Sequence, residues 1–288
     1  MTEILTNDHL QIKINAAGAE LQSFWHKQKK KEYLWQGNPE SWPRRAPVLF
    51  PIVGKLNNNS YTYKETSFSL PQHGFARDKN FRVEHQSGSM ITFLLSSDDE
   101  TLTNYPFPFE LRIVYELKEK SLFVQYIIRN TGKEEMLFSI GAHPGFICPL
   151  NEAESFSDYF LEFEKEETLE RHLLTEGVFN GKTELVMKSE NILPLTEGLF
   201  SKDAIVFKNM KSTYMILKSK RSDYLLKFSF PGFPYFGIWK KPGANFICLE
   251  PWLGIADNHD HSGELKNKEG ILSLAPDLEF KASYSISV

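Results

Sequence analysis

Residues 111–130 read LRIVYELKEKSLFVQYIIRN, and in the first half of this stretch a large apolar side chain stands at every second position, from Leu111 to Leu117. A period of two is that of a β-strand with one buried face. The polar residues 118–121 are typical of a turn, and the run LFVQYIIRN that follows is rich in β-forming residues. The stretch therefore predicts an antiparallel hairpin.

The same alternation continues outward along the chain. Residues 278–288, LEFKASYSISV, predict a final strand with one buried face, while helical periodicity is limited to a short turn near residues 98–104. No linker, low-complexity tract or repeat divides the sequence, so we expect a single domain over residues 1–288. The predicted fold is all-β, a large antiparallel β-sandwich. Further strand-like runs are LQIKI (10–14), SMITFLL (89–95), YFLEFE (159–164), YMILKS (214–219) and YLLKFSF (224–230).

Composition excludes several classes of function. The 288 residues carry a net charge of -4 with both signs scattered, which gives no reason to expect nucleic acid as a partner. There is no apolar run long enough to span a membrane and no secretory signal, so we expect a cytoplasmic protein without membrane association. The two cysteines, Cys148 and Cys248, are far apart and form no CxxC motif, so neither a disulfide framework nor a zinc ribbon is predicted.

The segment FICLEPW at residues 246–252 places a carboxylate in an otherwise apolar strand. Alternation would put Phe246, Cys248, Glu250 and Trp252 on one face. A carboxylate on an aromatic face has a raised pKa unless a partner or water stabilises its charge, and this is how a general base is tuned. The alternative for Glu250 is a structural ion pair or a position facing solvent at the strand end.

Two histidine motifs give Glu250 possible partners. His73 lies in LPQHGFARD (70–78) and His143 in SIGAHPGF (139–146), both beside glycines at the ends of strand-like runs. Either histidine alone is also typical of a structural hydrogen-bonding residue. Together with a glutamate on a buried face they supply the groups needed for acid and base catalysis near neutral pH. The sequence contains no GxSxG nucleophile motif and no glycine-rich phosphate loop.

The segment IADNHDHSG at residues 255–263 also combines histidines with acidic residues. His259 and His261 could face the same way on a strand, but the run is polar, rich in turn-forming residues and without matching distant ligands. We therefore interpret it as a solvated loop, and the sequence predicts no metal site.

Five segments of the chain form a distinctive set when taken in order: APVLFPIVGKL (46–56), LPQHGFARD (70–78), YPFPFEL (105–111), GAHPGF (141–146) and FICLEPWLGIAD (246–257). In this order they resemble the aldose 1-epimerase (galactose mutarotase-like) superfamily, specifically its LacX-like branch. The resemblance covers most of the chain and implies a β-supersandwich with an open sugar-binding cleft and no cofactor. It also implies a small-molecule partner, an aldohexose or its phosphate, bound by a monomer or homodimer.

The resemblance also implies roles for individual residues. His143 corresponds to the acid that protonates the ring oxygen, Glu250 to the base, and His73 to the histidine that holds the sugar. The family arginine falls on Lys55, which keeps the charge but loses the planar fork. The remaining candidates for substrate binding are Arg77, which could take part of the arginine role, Asp203 as the acidic residue, and Trp239, Trp252 and Phe75 as stacking aromatics.

Two other functions remain open at this point. A hexose-6-phosphate 1-epimerase would need a cationic cluster, for which Arg44, Arg45, Lys55 and Arg77 are candidates. A non-catalytic carbohydrate-binding or sensing protein would keep the cleft without turnover. A glycosidase is disfavoured, because that reaction normally uses two carboxylates and only Glu250 has a suitable context.

Overall fold

The computed structural model describes residues 2–288, which form 23 strands and one short α-helix. The helix, α1 (Asp99–Asn104), is capped by the Asp98 side chain, as expected for the turn near residues 98–104. Short 3-10 turns occupy Asn57–Asn59, Ala76–Asp78, Phe156–Asp158, Glu197–Phe200 and Leu265–Asn267. The strands, in chain order, are β1 (Thr2–Thr6), β2 (Leu10–Asn15), β3 (Leu21–His26), β4 (Lys31–Glu32), β5 (Val48–Leu49), β6 (Ser60–Tyr63), β7 (Thr66–Ser69), β8 (Arg82–Ser87), β9 (Met90–Ser96), β10 (Phe109–Lys118), β11 (Ser121–Asn130), β12 (Met136–Phe138), β13 (Ile140–Ala142), β14 (Gly145–Ile147), β15 (Tyr159–Thr175), β16 (Val178–Pro194), β17 (Ile205–Lys208), β18 (Tyr214–Ser219), β19 (Leu225–Ser229), β20 (Tyr235–Trp239), β21 (Phe246–Leu253), β22 (Leu272–Leu274) and β23 (Glu279–Ser287).

The predicted hairpin lies inside a nine-stranded antiparallel sheet with the order β16-β15-β18-β19-β23-β11-β10-β9-β8. Strands β10 and β11 pair from Phe109 opposite Asn130 to Lys118 opposite Ser121, and burial alternates along both strands. The C-terminal strand β23 pairs with β11 and β19 in the middle of the sheet. These findings confirm the all-β prediction. The predicted C-terminal strand begins one residue later than expected, because Leu278 lies in a turn before β23 and is 55% exposed.

A second sheet of six strands carries the SIGAHPGF segment in β13 and β14 and the FICLEPW segment in β21. Its order is β17-β20-β21-β13-β5, with β14 also paired to β21. The main hydrophobic core lies between this sheet and the nine-stranded one, since a single cluster contains Ile113 and Tyr115 of β10 together with Ile247 and Leu249 of β21. The sandwich architecture is thus confirmed. Three smaller antiparallel sheets complete this part of the chain: a four-stranded sheet of β1, β2, β3 and β4, a pair formed by β6 and β7, and a pair formed by β12 and β22.

Strand β21 has two faces, as alternation predicts, and every residue of it is buried. Ile247 and Leu249 belong to the main core. On the opposite face Phe246 and Cys248 pack in a small cluster with three tryptophans, and Trp252 packs in another. Glu250 lies between these two clusters, on the side of the sheet that faces away from the main core.

The long hairpin of β15 and β16 is a feature that the sequence did not predict in full. The run YFLEFE marks only the start of β15, which extends to Thr175 and turns into β16, an edge strand of the nine-stranded sheet. Most residues of β16 are exposed, so the strand lacks the apolar alternation that would reveal it. Among residues 2–288, no helix is long and apolar enough to cross a membrane.

Candidate active site

A cleft of about 370 Å³ opens on the outer face of the six-stranded sheet. This volume lies toward the lower end of the range typical of small-molecule sites. Residues far apart in sequence converge on it. They come from the loops on both sides of β5, the loops after β7 and β13, and the tip of the β15–β16 hairpin. Others come from β17 and the loop before it, from β20, and from β21 and the loop after it. The lining comprises Trp42, Pro47, Gly54, Gln72, His73, Arg77, His143, Leu174, Gly177, Phe179, Asp203, Ala204, Val206, Trp239, Glu250, Trp252 and Ala256.

His143 and Glu250 are in direct contact at the floor of this cleft. His143 Nε2 lies 3.1 Å from Glu250 Oε2, and the two side chains are only 12% and 2% exposed. The contact is within hydrogen-bonding distance but poorly aligned, so Glu250 Oε2 has no formal hydrogen-bond partner within residues 2–288. Poor alignment of this kind is common in catalytic pairs before substrate binds.

Burial shifts the pKa values of the two groups in opposite directions. Desolvation, with a smaller contribution from the negative charge of Asp203, raises the pKa of Glu250 well above its usual value. Desolvation also lowers the pKa of His143 to about 3, assisted by the positive charges of Arg77 and Arg44. Both shifts favour the uncharged form of each group, in which the one proton that the pair can exchange, its mobile proton, lies on Glu250.

His73 lies beside this pair, with its ring edge-on to that of His143 at 5.8 Å between centroids. Its Nδ1 accepts a hydrogen bond from the Gly54 backbone N–H at 3.1 Å. Burial, followed by the nearby charges of His143 and Arg77, holds the pKa of His73 well below 6.5. His73 is thus neutral with its proton on Nε2, which makes Nε2 a hydrogen-bond donor.

Trp252 forms an aromatic wall because two glycines let its ring lie flat on the sheet. Gly141 pairs with Trp252 on one side and Gly237 pairs with Glu250 on the other. A Cβ atom at Gly141 or Gly237 would come within 2.7 or 2.6 Å of the indole. The Trp252 Nε1–H is buried and finds no acceptor in the part of the chain that the structure describes.

His143 is covered by tryptophans. The Trp42 ring stacks on its imidazole at a centroid distance of 4.8 Å, and Trp239 meets it edge-on at 5.8 Å. Trp42 did not emerge from the sequence, because its segment NPESWPRR is polar and has no periodicity. The two indoles exclude water from His143, which accounts for the depressed pKa of this residue.

Two charged groups lie at the rim of the cleft. Arg77 Nη2 donates to the Gln72 carbonyl at 2.6 Å, and Arg77 Nε lies 3.7 Å from Asp78. Asp203 adopts a left-handed backbone conformation with φ of 72° and is exposed. Its Oδ1 atom accepts a hydrogen bond from the Ala204 N–H. The cleft thus combines aromatic walls, a buried histidine–glutamate contact and polar groups at its rim.

Comparison with known proteins identifies the family. A sequence model described as Aldose 1-epimerase matches residues 2–273. The chain belongs to the aldose 1-epimerase family. This epimerase-family protein is 35% identical to Protein LacX, plasmid, of Lactococcus lactis subsp. lactis, over 100% of this chain and 99% of the relative. The resemblance to the LacX-like branch is therefore confirmed.

Solved structures agree with this assignment. A galactose mutarotase related enzyme from Lactobacillus acidophilus superposes with a TM-score of 0.96 at 35% identity, covering 100% of this chain and 97% of the other. A galactose mutarotase-like protein from Lactobacillus casei gives 0.94 at 32% identity, with coverage of 100% and 99%. Family membership supports an isomerase-type activity on sugars for this epimerase-family protein.

Lys55 is one predicted binding residue that lies outside the lining of the cleft. Its Nζ donates to the Glu176 carbonyl at 2.9 Å, and its methylenes lie against Gly177. Lys55 therefore supports the turn of the β15–β16 hairpin. That turn region contributes Leu174, Gly177 and Phe179 to the cleft, three residues that the sequence did not indicate.

Two other candidate residues of this epimerase-family protein, Phe75 and Arg45, also lie outside the lining of the cleft. Phe75 is partly buried, packs against Phe50 and Phe109 of the main core and does not belong to the lining of the cleft. Arg45 faces a separate groove, where it bonds to Gln22 and to the Gln36 carbonyl.

Among residues 2–288, no group of three converging metal-ligand side chains includes a residue of the IADNHDHSG loop. His259 is exposed and His261 partly exposed, and neither belongs to a group of close donor atoms. Within residues 2–288, the one group of three histidine, cysteine or acidic side chains with converging donors is His143, Cys248 and Glu250. The spacing of these residues along the chain gives no sign of such a group.

Proposed function

We propose that this protein is an aldose 1-epimerase that interconverts the α and β anomers of a neutral aldohexose, without a cofactor. The observation that carries the proposal is the 3.1 Å contact between His143 and Glu250. These are two buried groups with oppositely shifted pKa values, at the floor of a cleft walled by tryptophans. Such a pair can accept one proton and donate another without a metal or a covalent intermediate.

In the proposed reaction, Glu250 removes the proton from the anomeric O1 hydroxyl while His143 donates a proton to the ring oxygen O5. The C1–O5 bond breaks and a C1=O1 carbonyl forms. Rotation about the C1–C2 bond then presents the other face of the carbonyl. The C5 hydroxyl attacks that face, His143 recovers its proton from O5, and Glu250 returns a proton to O1. Each proton transfer contributes about a hundred- to ten-thousand-fold in rate.

These roles require the mobile proton to move from Glu250 to His143 when sugar binds. A hydroxyl group that donates a hydrogen bond to Glu250 favours the ionised carboxylate. The shared proton then passes to His143 across the 3.1 Å contact. Binding of the correct hydroxyl would thereby set both groups in their reactive protonation states.

Other lining residues would hold the sugar. The Trp252 and Trp239 rings offer apolar surfaces for the C–H face of a pyranose. The Nε2–H of His73, the Arg77 guanidinium and the Asp203 carboxylate are suited to hydroxyl groups. Lys55 is left out of this set, since its Nζ is bonded to the hairpin turn.

The charge of the cleft favours an uncharged substrate. Of the four cationic candidates for a phosphate site, Arg77 alone belongs to the lining. Arg44 pairs with Asp78 at 2.7 Å, while Arg45 and Lys55 are engaged elsewhere. The exposed carboxylate of Asp203, which also lines the cleft, would moreover repel a phosphate.

Polarimetry on freshly dissolved α-glucose, α-galactose and glucose 6-phosphate tests the proposal. We expect faster mutarotation of a neutral hexose, and at least tenfold lower kcat/KM for the phosphate. His143→Asn should abolish most of the acceleration, whereas His85→Asn, at an exposed position on β8, should retain it. Saturable sugar binding without any acceleration would instead indicate a non-catalytic binding protein, and a preference for glucose 6-phosphate would reverse the substrate assignment.

A further inference from the structure

Cys248 lies beside the proposed acid/base pair but does not line the cleft. It precedes Glu250 by two positions on β21 and points to the same face. One donor atom from each of His143, Cys248 and Glu250 lies within 4.8 Å of the other two. Glu250 Oε2 is buried and unpartnered among the described residues, so a polar atom aimed at this point has its bonding capacity unused.

The three donors match a particular class of metal ion. Imidazole nitrogen, thiolate sulfur and carboxylate oxygen are the ligand types that Zn²⁺ takes in proteins. Zinc bonds of roughly 2.0–2.3 Å at tetrahedral angles put neighbouring ligand atoms ~3.3–3.7 Å apart. His143 and Glu250 already stand at 3.1 Å, and a movement of about 1 Å through the side-chain torsions of Cys248 and Glu250 would complete the set.

We infer that His143, Cys248 and Glu250 form a binding site for Zn²⁺ that reversibly blocks the cleft. The ion coordinates the His143 Nε2 lone pair, the Cys248 thiolate and the Glu250 carboxylate, and its fourth position faces the cleft. The thiol proton and the mobile proton of the His143–Glu250 pair leave to the buffer. Because His143 and Glu250 both face the cleft, the ion has a direct route to the site.

The surroundings indicate an inhibitory site rather than a resident metal centre. Ligating histidines in permanent sites usually donate their second ring nitrogen to a partner that orients them. His143 Nδ1 has no such partner in residues 2–288. Zinc at this position occupies both proposed proton-transfer groups, so zinc and sugar exclude each other. This consequence, unlike zinc binding itself, rests on the proposed function.

Zinc binding is tested without any sugar. Chelator-treated protein is titrated with Zn²⁺ against a colorimetric chelator, and we expect one tight equivalent. Cys248→Ala should weaken it by more than the 10–100-fold typical of lost outer-sphere partners. Cys148→Ala is the matched control, since Cys148 is equally buried but lies outside the donor group. Zinc binding that is absent from the wild type, retained in Cys248→Ala or lost in Cys148→Ala would overturn the inference.

Two further readouts locate the ion. Co²⁺ in place of zinc should give a sulfur-to-cobalt charge-transfer band that Cys248→Ala abolishes. The variant Cys248→Ser serves if the alanine variant unfolds. In mutarotation assays Zn²⁺ should inhibit the wild type and Cys148→Ala at concentrations that leave Cys248→Ala active. Mutarotation without zinc binding would refute this site alone, whereas zinc binding without mutarotation would refute only the proposed function.

Discussion

Glu250 and Asp257 are two carboxylates on neighbouring segments, both almost fully buried, with opposite environments. Asp257 Oδ1 pairs with Lys268 Nζ at 2.7 Å, and its Oδ2 accepts from the Asn57 N–H at 2.8 Å. Glu250 has only the poorly aligned contact with His143. A buried carboxylate whose donors are complete stabilises the structure, whereas one whose donors are incomplete retains a raised pKa and is available for chemistry.

The position of Asp257 supports this distinction. Its backbone N–H donates to the Lys55 carbonyl, and its carbonyl accepts from the Phe179 N–H. Asp257 thereby joins the segment containing Gly54 to the hairpin strand that carries Phe179, both of which line the cleft. Asp257 supports the walls of the cleft, and Glu250 lies at its floor.

The largest expected effects come from replacing the side-chain carboxyl group by an amide at Glu250 and at Asp257. Glu250→Gln should lower kcat/KM by about 100- to 10,000-fold with an unchanged or higher free energy of unfolding, because a costly buried acid is removed. Asp257→Asn should lower the free energy of unfolding by about 3–5 kcal/mol, since it leaves Lys268 buried without a countercharge. Urea unfolding and polarimetry on both variants check this; an Asp257→Asn protein as stable as the wild type would contradict the structural role of Asp257.

The pH dependence of stability provides a second test. Between pH 4.5 and the folded-state pKa of Glu250, the folded protein keeps a proton that the unfolded chain has lost, so this group lowers stability as pH rises. Glu250→Gln removes this pH-dependent loss of stability, because glutamine does not titrate. Its stability relative to the wild type should therefore increase with pH, by up to about 1.4 kcal/mol per unit, across this window. Urea unfolding at several pH values measures the difference, and a constant difference would contradict the raised pKa.

His73 and His143 act in the opposite sense. Their folded-state pKa values lie below 6.5, so below pH 6.5 the unfolded chain takes up protons that the folded protein does not, and stability falls as the pH is lowered. His73→Asn should therefore flatten the loss of stability in this range, whereas His85→Asn, at an exposed site, should not.

The Trp42 indole, which stacks on His143, offers a third test of why the His143–Glu250 pair differs from the Asp257–Lys268 pair. Trp42→Ala admits water to the imidazole and should raise the pKa of His143 from about 3, by at least ~1 unit, or ~1.4 kcal/mol. Imidazole NMR titration measures this shift. Trp25→Ala, in a groove on another sheet, is the control. An unchanged pKa in Trp42→Ala would show that other groups keep His143 dry.

The smallest expected effect concerns Lys55. Its backbone carbonyl accepts a hydrogen bond from the Asp257 N–H, so Lys55 contributes to the same structural region as Asp257. Lys55→Ala removes one hydrogen bond to the Glu176 carbonyl and should change kcat/KM by less than about tenfold. Arg77→Ala removes a charged group of the lining and should cost about 10- to 150-fold. Kinetics on the two variants compare them directly, and a larger loss in Lys55→Ala would restore Lys55 to the binding site.

Local pattern was sufficient for much of the fold. Alternation predicted the β10–β11 hairpin, the C-terminal strand and the two faces of β21, because a half-buried strand records its burial in every second residue. It was insufficient for β16, an exposed edge strand whose position depends on pairing with β15. The tip of that hairpin nevertheless forms one wall of the cleft.

Periodicity and motifs along the chain were sufficient to predict the β-sandwich class, the family and the face on which Glu250 lies. They were not sufficient to predict which side chains meet. In the folded chain Trp42 stacks on His143, Trp252 lies flat against two glycines, Phe75 packs against the main core and Lys55 bonds to the hairpin turn. Such contacts escape a reading of the sequence because the burial of a side chain, and with it the pKa of a buried ionisable group, is set by neighbours from distant parts of the chain.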